Sequence, residues 1–306
     1  MERLAPGVSF FDLYFQRRPR VIAAVVLHDA AGITIVDPGP ASTLPTLHAA
    51  LSDAGIEFGD VRAIALTHIH LDHAGATGTL VAEHPHLKVF VHRTGASHLV
   101  DPSRLLSSAG RLYGDAMDRL WGEVRPVPQH ALVAVDGGET LSLSGRSWNV
   151  AYTPGHASHH VSYFNADSGI ALVGDVAGVK LQPSGFVLPP TPPPDIDLEL
   201  WKESLRRIER LGPRTLFVTH FGPYADPAAH LEELRDHLEL VARLARESLE
   251  QPGDDEARAI WFRDQVMSEL RKGLDENDAR GYEVAARSDL NWRGLARYWR
   301  KKQASV

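Results

Sequence analysis

The 306-residue sequence contains no cysteine. That absence excludes disulfides, thiolate metal sites and a cysteine nucleophile. Long apolar runs are missing as well. The longest clean one near the N-terminus, Val21 to Leu27, falls far short of the roughly 20 residues a membrane-spanning helix needs. Met1 to Arg20 carries Glu2, Arg3 and Asp12 around no long apolar core, so it is not expected to act as a signal peptide. The expectation is a soluble cytoplasmic protein. Excess positive charge is also lacking: the net charge of -7 mildly repels phosphate backbones, and Arg300-Lys301-Lys302 reads as a solvated helix end. No repeat at a solenoid period is visible.

What is present suits a globular chain. With 43% apolar and 23% charged residues, wholesale disorder is not expected, and the length admits one large domain or a core with an appendage. The unusual count is 16 histidines, the commonest metal-ligand type.

Short β-branched or aromatic runs predict strands at Val8 to Phe15, Arg20 to Leu27 and Gly32 to Val36. Asp37-Pro38-Gly39-Pro40 stops the third, because proline lacks the ladder donor. Leu44, Leu47 and Leu51 predict a helix over Ser42 to Ala54, with Gly55 as its stop. Further strands are expected at Val61 to Leu66, Leu87 to His92, Glu139 to Leu143, Trp148 to Tyr152, Val161 to Asn165, Ile170 to Val173 and Thr215 to Thr219. Residues 101–122, with Leu105, Leu106, Tyr113 and Trp121 among their apolar members, predict an inserted helical flap walling a substrate pocket or a dimer contact. Pro189 to Pro194 can be neither regular helix nor central strand, and a helix follows at Asp195 to Leu211. From Asp226 only helical patterns remain, at Pro227 to Glu250, Asp254 to Leu274 and Asp289 to Lys302. The expected organisation is a layered αβ domain over 1–225 and a helical region over 226–306.

The strand ending at Leu66 runs into Thr67-His68-Ile69-His70-Leu71-Asp72-His73. In extended chain, residues two apart share a face, so His68, His70 and Asp72 can project one way while His73 faces a second point. That layout suits two cations, and imidazole and carboxylate are ligands that zinc, iron and manganese accept. His156 follows the strand ending at Tyr152, Asp175 the strand ending at Val173, and His220 the strand Thr215 to Val218. Four strands thus deliver ligand-type residues at their C-terminal ends, where such sheets keep their sites.

The series H-x-H-x-D-H, T-P-G-H, G-D and a late T-H resembles the motif series of the metallo-β-lactamase superfamily over about residues 20–224. Val36-Asp37-Pro38-Gly39 resembles the first motif of that family, whose aspartate supports the site from behind the ligands. The resemblance implies an α/β four-layer αββα sandwich, here with a C-terminal helical appendage. It implies that His68, His70 and His156 bind one metal, that Asp72, His73 and His220 bind the other, and that Asp175 bridges both. The cofactors so implied are two divalent ions, zinc first, with iron and manganese as alternatives. Two cations sharing a water would lower its pKa towards ~7, giving hydroxide to attack a polarised carbonyl, with Asp72 as catalytic residue orienting the nucleophile or shuttling its proton. The β-lactamases proper lack the bridging aspartate, so Asp175 argues for the wider hydrolase branch, of glyoxalase or lactonase type.

His160 stands where the family often has a second histidine, with His159 in place of a glycine; a hydrogen-bonded supporting role is the expectation. His84, His86, His92 and His98 read as surface or helix-end residues, and Phe221 and Tyr224 as pocket-lining or packing. The expected activity is hydrolysis of a small ester, lactone or thioester. Acyl-homoserine lactonases of the family commonly carry tyrosine three residues after the bridging aspartate, where this chain has Gly178. Hydroxyacylglutathione hydrolases carry C-terminal helices, as this chain does. The alternatives are a mononuclear iron sulfur dioxygenase, a phosphodiesterase or nuclease, and a metal-binding scaffold without turnover. The expected partners are a small-molecule substrate, no nucleic acid and no membrane, with a homodimer left open.

Overall fold

The structure, a computed structural model, describes residues 1–182 and 185–304. Two β-sheets flanked by helices, followed by a C-terminal helical region, form the metallo-β-lactamase sandwich that the motif series implies. The first sheet runs in chain order through β1 (Glu2–Ala5), β2 (Val8–Asp12), β3 (Ala23–Asp29), β4 (Gly32–Val36), β5 (Val61–Ala65), β6 (Lys88–His92) and β7 (Leu132–Val135). Its first four strands are antiparallel and β4 to β7 parallel. The parallel strands need crossovers, which carry α1 (Leu44–Asp53), α2 (Leu71–Ala74), α3 (Thr77–Glu83), α4 (Arg93–Val100), α5 (Ser103–Tyr113) and α6 (Met117–Trp121). The second sheet holds β8 (Thr140–Leu143), β9 (Arg146–Tyr152), β10 (Val161–Asn165), β11 (Ile170–Leu172), β12 (Thr215–Val218) and β13 (Gly222–Tyr224), in the order 13-12-11-10-9-8. The remaining helices are α7 (Leu198–Leu211), α8 (Pro227–Leu249), α9 (Asp255–Leu270), α10 (Glu276–Ala285) and α11 (Ser288–Ala304). Among the described residues, no helix is long and apolar enough to cross a membrane.

The chain packs as two compact units, Met1–Tyr152 with His159–Val173, and Thr153–Ser158 with Gly174–Val306. In the first, β3 and β4 bury nearly every residue on both faces, which is why Ala23 to Leu27 and Ile33 to Val36 read as continuous apolar runs rather than alternating ones. In the second, α7 and α8 each bury one apolar stripe, Trp201, Leu205 and Ile208 on α7 and Leu231, Leu234, Leu238 and Val241 on α8. Each such side chain, fully buried, contributes roughly 1.5–3 kcal/mol.

Several elements differ from the pattern-based reading. The strand expected to reach Phe15 stops at Asp12, whose carboxylate accepts the amides of Tyr14 (2.9 Å) and Arg20 (2.6 Å) and closes a loop. β1 is a charged, exposed edge held by its pairing with β2, and β13 contains Pro223, which an edge strand tolerates. Neither carries a strand signal of its own. α10 escaped the periodicity because few of its residues, Ala279, Gly281 and Tyr282, are buried.

The stretch 101–122 is helical, as expected, but as two helices separated at Gly114. Trp121 is buried, stacks on Phe15 at 5.6 Å and meets Tyr113 edge-on at 5.0 Å, while the Leu120 carbonyl accepts the Ser42 hydroxyl at 2.6 Å. The insertion therefore packs on the turn that follows Asp37-Pro38-Gly39-Pro40.

Candidate metal centre

The chain leaves β5 as an extended segment, Thr67 to His70, and then turns helical at Leu71. Alternation therefore ends at His70, two residues earlier than the spacing suggested: His68 and His70 go together, whereas Asp72 joins His73 on α2, as the motif resemblance implied. His68, His70 and His156 bring ligand atoms within 4.8 Å of one another, and Asp72, His73, Asp175 and His220 do the same. All seven are the residues singled out from sequence. Five of them are buried and His70 and Asp72 are half-buried, Asp72 being the more open carboxylate, with 21% of its side chain exposed against 5% for Asp175.

Three of the imidazoles have an Nδ1 partner that leaves Nε2 to ligate. Asp37, directly after β4, accepts from the Thr67 amide (2.8 Å), the Thr67 hydroxyl (2.7 Å) and His73 Nδ1 (2.9 Å). Because the Thr67 hydroxyl donates to Asp37, its oxygen is left to accept from His68 Nδ1 at 3.1 Å. His156 Nδ1 donates to the Pro190 carbonyl at 2.8 Å. In all three rings the proton on Nδ1 leaves Nε2 with its lone pair for a cation. Asp37 does this from φ 49°, a left-handed conformation that aspartate tolerates better than most residues and that strain at functional sites commonly uses. Tyr163 donates to the Leu66 carbonyl at 2.8 Å; burial first, and then Asp37, push its phenol well above the usual value, so it stays a donor.

His156 sits on a loop gripped by α7. The Gly155 carbonyl accepts from the Asp197 amide at 2.9 Å, the Pro154 carbonyl accepts the Ser204 hydroxyl at 2.6 Å, and the Trp201 ring meets the His156 ring edge-on at 5.6 Å. The Trp201 indole also donates to the Val176 carbonyl at 2.7 Å, next to Asp175. Gly155 has φ 129°, and a Cβ there would lie 2.4 Å from Trp201 backbone atoms. Gly155→Ala is therefore expected to push His156 out of its group. Zinc titration of the variant checks this: the first equivalent should weaken at least tenfold, and unchanged binding would contradict it.

The donor set fits divalent cations. Five imidazoles and two carboxylates are borderline and hard ligands of the kind zinc, iron and manganese take. His68 Nε2 and His70 Nδ1 stand 3.0 Å apart, close to the roughly 3.3 Å that two nitrogens on one tetrahedral zinc would keep. Asp175 turns Oδ2 towards His156 Nε2 (3.5 Å) and Oδ1 towards His220 Nε2 (3.4 Å), so one carboxylate addresses a ligand from each group.

His160 is buried where a supporting residue was expected, whereas pattern reading undervalued His159 and His92. His160 is fully buried with its ring 5.0 Å from that of His68, and His159 accepts the Ile69 amide at 3.4 Å beside His70, so both pack behind the H-x-H segment. His92 caps α4 as a helix-end residue, yet it is buried and stacks on Tyr152 at 4.5 Å. Only the adjacent T-P-G-H could have pointed to His159.

Comparison with known proteins identifies the family. Residues 17–220 match the metallo-beta-lactamase superfamily. The metallo-beta-lactamase fold-containing protein ST1585 of Sulfurisphaera tokodaii is 33% identical over 178 residues, 57% of this chain and 66% of that protein. A hydroxyacylglutathione hydrolase of Aeromonas hydrophila is 30% identical over 141 residues, 46% of this chain and 41% of that enzyme. The chain thus spans less than two thirds of the length of these relatives. The crystal structure of metallo-beta-lactamase family protein TTHA1429 from Thermus thermophilus shares the fold, with a TM-score of 0.72 at 23% identity over 99% of this chain and 96% of that one.

Proposed function

Because the chain belongs to the metallo-beta-lactamase superfamily, we propose that it is a binuclear hydrolase of a small carboxylic ester, lactone or thioester, in the glyoxalase and lactonase branch. The observation that carries this reading is Asp175, whose two oxygens address His156 and His220 separately. A carboxylate placed in that way suits a bridge between two cations, and seven donors exceed what one tetrahedral ion uses. In this reading His68, His70 and His156 hold one cation, Asp72, His73 and His220 hold the other, and Asp175 is common to both. Zinc is the first choice of metal.

When bound, two such cations supply a strongly acidified water and Lewis-acid polarisation of a carbonyl oxygen. The chain contributes the rest. Asp37 and the Pro190 carbonyl fix the ring orientations of His73 and His156 before any substrate arrives, so little reorganisation is left for the reaction. Asp72, the more open of the two carboxylates, takes up the proton of the attacking water at a carboxylate oxygen and passes it to solvent or to the leaving group. In this reading the 101–122 insertion, seated on the turn after Pro40, is the segment expected to wall the substrate pocket.

Two measurements test the reading. Elemental analysis of metal-saturated protein is expected to give two equivalents per chain, and one equivalent would favour the mononuclear iron alternative. Screening that protein against lactones, thioesters and phosphodiesters should show turnover of the first two classes; turnover of phosphodiesters alone would overturn the assignment.

A further inference from the structure

One face of α8 is polar where its neighbours are leucines. His230, Glu233 and His237 stand at i, i+3 and i+7, the spacing that aligns side chains on a helix. Each reaches the chain that follows Asp175. His230 Nε2 donates to the Ala177 carbonyl at 2.8 Å. Glu233 Oε2 accepts from Lys180 Nζ at 2.9 Å and its Oε1 from the Val187 amide at 3.2 Å, while His237 Nδ1 donates to the Val187 carbonyl at 3.0 Å. Val179 and Leu188 pair as an antiparallel bridge with two 2.8 Å hydrogen bonds, so Glu233 ties both sides of that bridge to the helix.

Lys180 is the link to the candidate ligands. Its amide donates to the His220 carbonyl at 2.6 Å, its carbonyl accepts the Phe221 amide at 3.2 Å, and Tyr224 donates its hydroxyl to the same carbonyl. The main chain of Lys180 thus clasps His220 while its side chain is anchored on α8. Hydrogen bonding and packing within the fold do not require an ion pair here: the Lys180 side chain is only 10% exposed, and desolvating an ammonium offsets most of what pairing with Glu233 returns. What such a pair supplies is a fixed position.

We propose that Lys180 and Glu233 are positioning residues that set His220, and with it the second cation site, through a clamp on α8. The inference rests on the reading that His220 is a metal ligand. Burial, the largest influence, pushes the His230 imidazole down to about 4, so it remains neutral near pH 7 and keeps a single proton for the Ala177 carbonyl. The third grip is therefore a plain hydrogen bond at the start of the clamped segment.

The test is titration of the full, metal-free chain with zinc against a chromophoric chelator, for wild type, His220→Ala, Glu233→Ala, Lys180→Met and the double variant. Glu233→Ala and Lys180→Met are each expected to weaken the second equivalent tenfold to a hundredfold and to leave the first within about twofold. The double variant should be no worse than the stronger single one, because both changes break one contact. His220→Ala should lose the second equivalent outright. If it keeps both, His220 is not a ligand, and the clamp falls with that reading. If His220→Ala loses one equivalent while Glu233→Ala and Lys180→Met bind both as wild type does, the clamp alone is overturned. Parallel weakening of both equivalents would also overturn it, since general loosening is not positioning. Glu233 is a third exposed, so its variant serves should Lys180→Met not fold.

Discussion

Asp175→Ala is expected to lower kcat/KM by more than about a hundredfold while leaving the chain folded. Removing a group behind a metal ligand commonly costs tenfold to a hundredfold in metal affinity or activity. Asp175 is a candidate ligand itself, and its two oxygens address His156 and His220 separately, so its loss removes a donor from both groups at once. Folding depends on it far less, because the second unit is held by the apolar stripes of α7 and α8 rather than by one carboxylate. Asp175→Asn sharpens the comparison. It keeps the shape but replaces one oxygen with an amide NH2, which donates hydrogen bonds and does not ligate. The checks are elemental analysis, far-UV circular dichroism and turnover of whichever ester, lactone or thioester the screen identifies. Two equivalents of metal and normal turnover in Asp175→Ala would remove the bridging role.

Trp201→Ala carries the second large effect, on stability and site together. Trp201 is fully buried on α7, and truncating a buried tryptophan costs about 3–5 kcal/mol through lost burial and the cavity left behind. Its indole also donates to the Val176 carbonyl and its ring abuts His156, so the cavity opens beside two candidate ligands. Denaturant unfolding should show stability fall by that amount, and the first zinc equivalent should weaken with it. Trp201→Phe separates the contributions: it restores most of the volume but leaves the Val176 carbonyl without its donor, for about 1 kcal/mol. A loss under about 1 kcal/mol in Trp201→Ala would mean that α7 does not support this loop.

These effects trace to contacts of different visibility in the sequence. The seven candidate ligands were legible because they are consecutive to strand ends: His68 follows β5, His156 β9, Asp175 β11 and His220 β12, and a strand's direction dictates where the next few residues emerge. Asp37 was legible by its motif, at the end of β4, which neighbours β5. The sandwich followed from the same series, and the core strands from unbroken apolar runs such as Ala23 to Leu27.

Other features had no local signature. The Pro190 carbonyl that orients His156 lies 34 residues away, and any backbone carbonyl in a loop could have served, so no residue type marks it. The Lys180–Glu233 pair spans 53 residues, and in the sequence Glu233 is one acid among several on α8. Sequence by itself determined the donor chemistry, the strands that deliver it and the family of the fold, because those are set by residue type and by spacing along one strand. Only the tertiary structure decided which nitrogen of His68, His73 and His156 is left for a cation and which helix holds the His156 and Lys180 loops, because those depend on partners distant in sequence, such as Asp37 for His73, Pro190 for His156 and Glu233 for Lys180.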